Sequence, residues 1–384
     1  MDKKKILFLT GTRADYGKLK PLMMAVEEHK DFECYIFITG MHTLKEFGNT
    51  KNEIYKDKFK NIYVYINQII EEPMDLVLAN TINGFSRYIR ELEPDMLVVH
   101  GDRVEALAGA ISGAINNILV AHIEGGEVSG TIDESIRHAI SKLSHIHFVS
   151  NNDAKNRLLQ LGEEESSIYV IGSPDIDIIL EKSILNITEI KRRYEIEFKE
   201  YAVLMYHPVT TETEKLKHNI KQLVDAVFES GDNFIVVHPN NDSGHKIILE
   251  EYKRFDGYGK IKKFPSIRFE FFLEILKNAK YLIGNSSAGI HEAPVIGLPS
   301  INVGSRQQGR FKFETIIDSK DDKESIIKSI EKVKKLDNCN STNHFGDGKS
   351  KENFIKIISG PKIWETPTQK VFNNIYFERN IFNV

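Results

Sequence analysis

The residues of this chain best suited to chemistry are the acids and histidines of His100-Gly-Asp-Arg103, His122-Ile-Glu-Gly-Gly126 and Asp133-Glu134. The first two groups each close a short apolar run, Met96-Leu97-Val98-Val99 and Ile118-Leu119-Val120-Ala121. Such runs read as buried parallel strands, and ligands bind at the carboxyl ends of those strands. A buried strand has no structural need for Asp102 or Glu124 at its tip. Asp102, Glu124 and Asp133 are therefore the candidate acid/base groups. Carboxylates sharing one partly buried, arginine-containing cleft can have their pKa values driven apart, so that one serves as base and another as acid. Two structural alternatives stand beside this reading. Asp133 is placed to cap a helix starting near Glu134, and Asp102 to pair with Arg103.

Other residues suit an anionic ligand. Gly11-Thr-Arg-Ala-Asp-Tyr-Gly-Lys18 follows an apolar run and opens a helix. It is not a Walker A loop, because its glycine spacing is one residue too long and Leu19 stands where a hydroxyl should hold magnesium. A glycine turn with Arg13 still suits a diphosphate, or is a tight turn with a surface arginine. Further on, Gly284-Asn-Ser-Ser-Ala-Gly-Ile-His-Glu-Ala-Pro294 lies between an apolar run and a helix-like segment. There Ser286 and Ser287 allow close approach to phosphate oxygens, and Glu292 is spaced to accept hydrogen bonds from ribose hydroxyls; the alternative is serine N-capping with a solvated Glu292. Arg306 and Arg310, after the next run, are candidates for phosphate or nucleobase contact, or lie in a plain surface loop. His207 and His238 each end a strand of the second half and are candidate phosphate ligands or acids. His138, His145 and His147 read as structural. Asp175-Ile-Asp177 superficially matches a metal–nucleotide D-x-D, but after Gly-Ser-Pro it reads as a solvated helix start. No cluster has metal-ligand spacing, so neither a catalytic metal nor a cofactor is expected.

These residues need two sheets to position them. Short apolar runs alternate with amphipathic stretches, the α/β pattern of doubly wound parallel sheets. The first series predicts strands at Ile6–Thr10, Cys34–Thr39, Ile62–Tyr65, Met96–His100, Leu119–Ile123, Ile146–Val149 and Tyr169–Ile171. Leu19, Leu22, Met23 and Val26 make one helix face; Leu78, Ile82, Phe85, Ile89 and Leu92 make another. The second series predicts strands at Ala202–Tyr206, Phe234–His238, Tyr281–Ile283 and Ser300–Val303. The chain thus divides into a Rossmann-like domain over 1–173 carrying the acids, a second over 174–360, and a segment over 361–384. That last segment, with Trp364 and Phe372, is expected to pack as a helix back across the first domain.

With 384 residues, 41% of them hydrophobic, the chain has enough material for two cores. A net charge of −4 gives no basis for binding nucleic acid or an anionic membrane. Cys34 and Cys339 supply neither a disulfide framework nor a zinc site, which fits a reducing cytoplasm. The apolar run after Lys5 is too short for a signal or a membrane span.

Taken together, these motifs resemble the hydrolysing UDP-N-acetylglucosamine 2-epimerases of bacterial sialic acid synthesis. The likeness covers nearly the whole chain. Besides the motifs above it rests on Ser129-Gly-Thr-Ile-Asp-Glu-Ser135, Arg137-His138 and His207-Pro-Val-Thr-Thr-Glu212. It implies two Rossmann-like domains facing across a cleft, as in GT-B glycosyltransferases, with a UDP-sugar held mainly by the second. The essential acids would be Asp102, Glu124 and Asp133, and the nucleotide contacts Arg13, His207, Ser286, Ser287 and Glu292. It also implies a homodimer or homotetramer. Non-hydrolysing relatives carry Glu-Ala-Gly where this chain has Glu124-Gly-Gly126, which favours the hydrolysing branch. The expected reaction expels UDP from C1 as a carboxylate removes the C2 proton, then rehydrates the resulting glycal to N-acetylmannosamine. A sister branch acts on a 2,4-diacetamido-6-deoxy UDP-sugar on the legionaminic acid route. A GT-B glycosyltransferase and a non-catalytic UDP-sugar sensor are the rival readings, though neither needs all three acids.

Overall fold

The computed structural model describes residues 3–129, 131–181, 186–209, 212–240, 242–336 and 339–374. Among them the strands form two sheets in which every pairing is parallel. The first sheet contains β1 (Lys4–Thr10), β2 (Phe32–Ile38), β3 (Asn61–Val64), β4 (Met96–His100), β5 (Leu119–Ile123), β6 (Ile146–Val149) and β7 (Ile168–Val170), in the order β3-β2-β1-β4-β5-β6-β7. The second contains β8 (Ala202–Met205), β9 (Phe234–Val237), β10 (Ile261–Phe264), β11 (Leu282–Gly284), β12 (Ser300–Val303) and β13 (Ile316–Ser319), in the order β10-β9-β8-β11-β12-β13.

Apolar runs make the central strands, and helices cover both faces. Helix Arg13–Glu28 turns Leu19, Leu22, Met23 and Val26 fully inward onto β1 and β2. Helix Met74–Leu92 packs Val77, Phe85 and Ile89 on the opposite face. In both sheets the strand order reverses at a switch point, β1/β4 in the first and β8/β11 in the second. Crevices outside the strand ends at such points are where ligands bind. The loops leaving these four strands begin at Gly11, Gly101, Tyr206 and Asn285, so the sequence motifs fall at both switch points.

Three sequence expectations differ from the structure. Strands β10 and β13 are absent from the predicted set. Both are sheet edges, and Lys262 and Lys263 of β10 break the apolar run that marks a central strand. The return to the first domain begins before residue 361: helix Ser350–Ile358 already places Phe354 and Ile358 in the first core, joined by Ile363 and Trp364. After the short 3₁₀ turn Lys362–Glu365 the described chain is not helical, and Phe372 is exposed. Residues 375–384 of that expected segment lie outside the described residues.

The chain therefore crosses between sheets twice, near 172–177 and again near 345–351. The crossings are stitched together. Ser173 N–H donates to Phe345 O at 2.7 Å, and the Asp177 carboxylate accepts from Ser350 N and Oγ and from Lys351 N at 2.8–2.9 Å. Phe354 lies between Phe8 and Phe148, with ring centroids at 6.5 and 4.9 Å. Phe354→Ala should lower unfolding free energy by about 3–5 kcal/mol, measured by denaturant titration.

Candidate active site

Two adjoining cavities lie where the sheets face each other. The larger, about 310 Å³, is lined from the first domain by Arg13, Lys18, Asp102 and Asp133, and from the second by His207, His238, Ser286, Ser287, Glu292 and Arg306, among others. The smaller, about 170 Å³, shares Asp102, Asp133, Ser287 and Arg306 and adds His100, Glu124, Glu127, Arg137, His291 and Arg310. All ten residues singled out from sequence thus reach one continuous site. Glu124 alone among them lines only the smaller chamber.

Each position has a local cause. At the β1 tip, Thr12 and Asp15 form a capping box: Asp15 N donates to Thr12 Oγ1 at 3.2 Å, and Thr12 N donates back to Asp15 Oδ1 at 3.0 Å. This fixes the turn that presents Arg13, whose guanidinium reaches across the cleft to Ser266 and also pairs with Glu53. At the β4 tip, the buried His122 ring bonds Gly101 O at 2.8 Å and Ser141 Oγ at 3.0 Å, so this histidine shapes the Asp102 turn. Asp102 pairs with Arg137 from helix Ile132–Leu143. Arg103 turns away and meets Asp242 of the second domain at 3.2 Å, so the Asp102–Arg103 alternative does not hold. The cap of helix Ile132–Leu143 is Thr131, which leaves the Asp133 carboxylate free to face Arg306 at 3.5 Å.

Glu124 sits in the left-handed backbone region at φ 60°, a strained position for a non-glycine residue. It is held by His100 Nε2 at 3.0 Å and Lys18 Nζ at 3.2 Å. In the second domain Gly284 has φ 136°, and a Cβ there would lie 1.8 Å from Met205 O. Only glycine lets β11 turn beside β8 at this point. The segment after it is shorter than expected, a 3₁₀ turn Ser287–Gly289 and a four-residue helix Glu292–Val295. The Ser286-Ser287 loop therefore offers an anion its hydroxyls and backbone N–H groups, with little help from a helix dipole. His207 Nδ1 accepts from Asn240 N at 3.1 Å. Burial, with Arg306 nearby, holds the ring down at about 3, so it is neutral and Nε2 keeps the proton as a donor.

The model of the UDP-N-acetylglucosamine 2-epimerase family matches residues 24–359. The chain belongs to that family. A protein named UDP-N-acetylglucosamine 2-epimerase from Neisseria meningitidis serogroup B is 46% identical over 96% of this chain and 98% of its own length. One named UDP-N,N'-diacetylbacillosamine 2-epimerase (hydrolyzing) from Legionella pneumophila is 33% identical over 92% and 95%. Among solved structures, UDP-GlcNAc 2-epimerase of Methanocaldococcus jannaschii in complex with UDP-GlcNAc and UDP shares the fold. Its TM-score is 0.78 at 24% identity, covering 92% of this chain and 99% of that one.

In this member of the epimerase family the acids separate electrostatically. Burial alone would raise Asp102, but Arg137, Arg310, Arg103 and His100 outweigh it and hold the carboxyl below its usual range. Burial is likewise outweighed at Glu124 by Lys18 and His100, which hold it well below. Asp133 moves the other way, raised by burial and by the charge of Asp102. Burial also pushes Glu292 up to about 7, against Lys18 and with Asp175 and Glu124 adding to it.

Several site residues escaped the sequence reading. Lys18 was quoted only as the end of a failed Walker pattern, yet it lies one turn after Ala14 on the cleft side of its helix. Asp175 and Asp177 are not the solvated helix start that their sequence suggests. Asp175 is fully buried and pairs with Lys18 at 3.0 Å, and Asp177 caps the second crossing. The D-x-D reads as surface only if the helix it opens is solvated, and here that helix is an interdomain connection. Arg137 and His291 lay inside quoted motifs without an assigned task.

Glu292 makes a stability prediction. Its folded value, about 7, lies above its ordinary 4.5. Its contribution is therefore fully present below the ordinary value and is lost as pH rises through about 7. Between about pH 5 and 8 the wild type should lose more thermal stability than Glu292→Gln. Calorimetry across that range checks this, and parallel curves would contradict it.

Proposed function

We propose that this chain is a hydrolysing 2-epimerase, converting UDP-N-acetylglucosamine to N-acetylmannosamine and UDP by elimination and rehydration, for sialic acid synthesis. The observation that carries the reading is the pairing of two ionised carboxylates with a raised one in a chamber next to a cationic, serine-rich cavity. The apolar end of the larger cavity, with Ile267, Phe269 and Phe272, suits a planar base, and Glu292 the ribose. Arg13, His207, Ser286, Ser287 and Arg306 suit the diphosphate, with His238 beside them. The sugar then occupies the smaller chamber.

The C2 proton of an N-acetylhexosamine is not adjacent to a carbonyl carbon and is only weakly acidic. Departure of UDP from C1 creates oxocarbenium character beside it, and stabilising the leaving diphosphate lowers that barrier. Asp102, held ionised, takes the C2 proton. Asp133, with its raised pKa, returns a proton to C2 from the other face. Glu124, held ionised, accepts a proton from the water that adds to C1. All three act without a metal or cofactor in this scheme.

Hydrolysis rather than simple epimerisation is supported by the Legionella relative named as hydrolyzing and by Gly125. A Cβ at Gly125 would lie 2.7 Å from His122 Nδ1 and 2.9 Å from Ser141 Oγ. The alanine of the non-hydrolysing pattern would displace the ring that sets the Asp102 turn. The same relative keeps a UDP-2,4-diacetamido-6-deoxy sugar as the second substrate reading. The family resemblance supports a cytoplasmic homodimer or homotetramer; among the described residues no helix is long and apolar enough to cross a membrane. The working domains follow the two sheets, residues up to 173 and from 174 onward, with the C-terminal return added to the first.

An NMR time course with UDP-N-acetylglucosamine in D2O tests this reading. Release of UDP with N-acetylmannosamine deuterated at C2 is expected. Accumulation of UDP-N-acetylmannosamine without free sugar would contradict hydrolysis, and turnover of the diacetamido sugar alone would select the second reading. Asp102→Asn should lower kcat at least about 100-fold.

A further inference from the structure

Glu124 has a back side that faces away from the sugar chamber. There the Ser173 hydroxyl touches both Glu124 Oε1 and Asp175 Oδ1. Ser173 and Asp175 are both fully buried and belong to the first interdomain crossing. Lys18 Nζ spans the same two carboxylates, 3.2 Å from Glu124 and 3.0 Å from Asp175. A serine hydroxyl has one proton to give and lone pairs to receive another. Set between two carboxylates, it bonds both at once only by donating to one and accepting from the other, which must then carry a proton.

We propose that Ser173 and Asp175 form a proton relay that resets Glu124 during turnover. The inference rests on the role given above to Glu124, as acceptor of the proton released when water adds to C1. Protonated Glu124 donates to Ser173 Oγ while the Ser173 O–H passes its own proton to Asp175. The O–H bond of Glu124 breaks, one forms at Asp175, and Ser173 ends as it began. Glu124 is a carboxylate again while products are bound, and once they leave the proton returns through Ser173 to Glu124, which lines the smaller chamber, and passes to water. Lys18 stands next to both ends of the transfer, so its positive charge accompanies whichever carboxylate is ionised. His100 faces Glu124 at 3.0 Å, and His291 and Glu292 approach from the second domain. Neither Ser173 nor Asp175 lines either substrate cavity. They are positioning and relay residues and make no contact with substrate.

The location gives the relay a second property. Ser173 N–H is tied to Phe345 O on the other crossing, and Phe345 stacks on His291 at 4.1 Å between ring centroids. His291 directly precedes the ribose-site Glu292. The segment that holds the nucleotide and the segment that completes the relay are therefore joined through one stacked pair.

The test compares wild type with Asp175→Asn, which keeps a hydrogen-bonding group beside Ser173, and Ser173→Ala, which keeps the Asp175 charge. Each is assayed with UDP-N-acetylglucosamine, and with the diacetamido sugar if that is the substrate, in mixtures of H2O and D2O. Both variants should lose kcat by about 10–100-fold, with KM and UDP affinity within about threefold of wild type. The rate of the wild type should depend on deuterium fraction with upward-opening curvature, the sign of more than one proton in flight, and both variants should lose that curvature. Variants with wild-type kcat would overturn the relay. So would a loss of kcat matched by an equal loss of UDP affinity, the signature of a hinge that merely holds the domains. A wild type that turns over neither sugar would instead remove the parent reading, and the relay with it.

Discussion

The structure depends on placing charge where water is scarce. Asp102, Glu124, Asp133, Asp175 and Glu292 are carboxylates at or near the strand ends of two facing sheets, and three of them are fully or nearly fully buried. A buried carboxylate costs several kcal/mol unless a cation and hydrogen bonds accompany it. The cations come from both domains. Lys18 and Arg137 belong to the first, Arg306 and Arg310 to the second. Arg103 leaves its own sheet to meet Asp242, and Arg306 crosses to Asp133. Neither domain could satisfy its own acids as well alone, so the demand of those charges helps set how the sheets meet.

The same electrostatics supports the proposed chemistry. Close cations keep Asp102 and Glu124 ionised, while Asp133 and Glu292 lack enough positive charge and are raised. Acids shifted in opposite directions thus share one cleft, as the proposed elimination and hydration require. Meanwhile the histidines divide between structure and ligand. His122 is committed on both ring nitrogens to shaping the β4 tip, whereas neutral His207 keeps a donor for the cavity.

Much of this was legible in the residues. Acids at the ends of Val/Leu/Ile runs pointed to Asp102 and Glu124, and the structure brings both to one chamber. Serines between two glycines marked the second switch point. What sequence concealed was anything whose meaning depends on a neighbour far along the chain. Asp175 opens a helix after proline, as many surface aspartates do, and only its approach to Lys18 shows it to be buried. β10 carries lysines because it is an edge strand, and the same lysines hid it. The return of the chain to the first core was anticipated, but its helix lies before Gly360, where Phe354 and Ile358 supply an apolar face too short to stand out from the polar segment before it.

The proposed mechanism needs a nucleotide grip on the second sheet that delivers its sugar to acids on the first. A crystal structure of the protein with UDP and N-acetylmannosamine tests it most directly. The expected complex has the diphosphate among Arg13, His207, Ser286 and Ser287, the ribose at Glu292, and the sugar between Asp102, Glu124 and Asp133. A diphosphate bound away from both switch points, or a sugar out of reach of all three carboxylates, would contradict it.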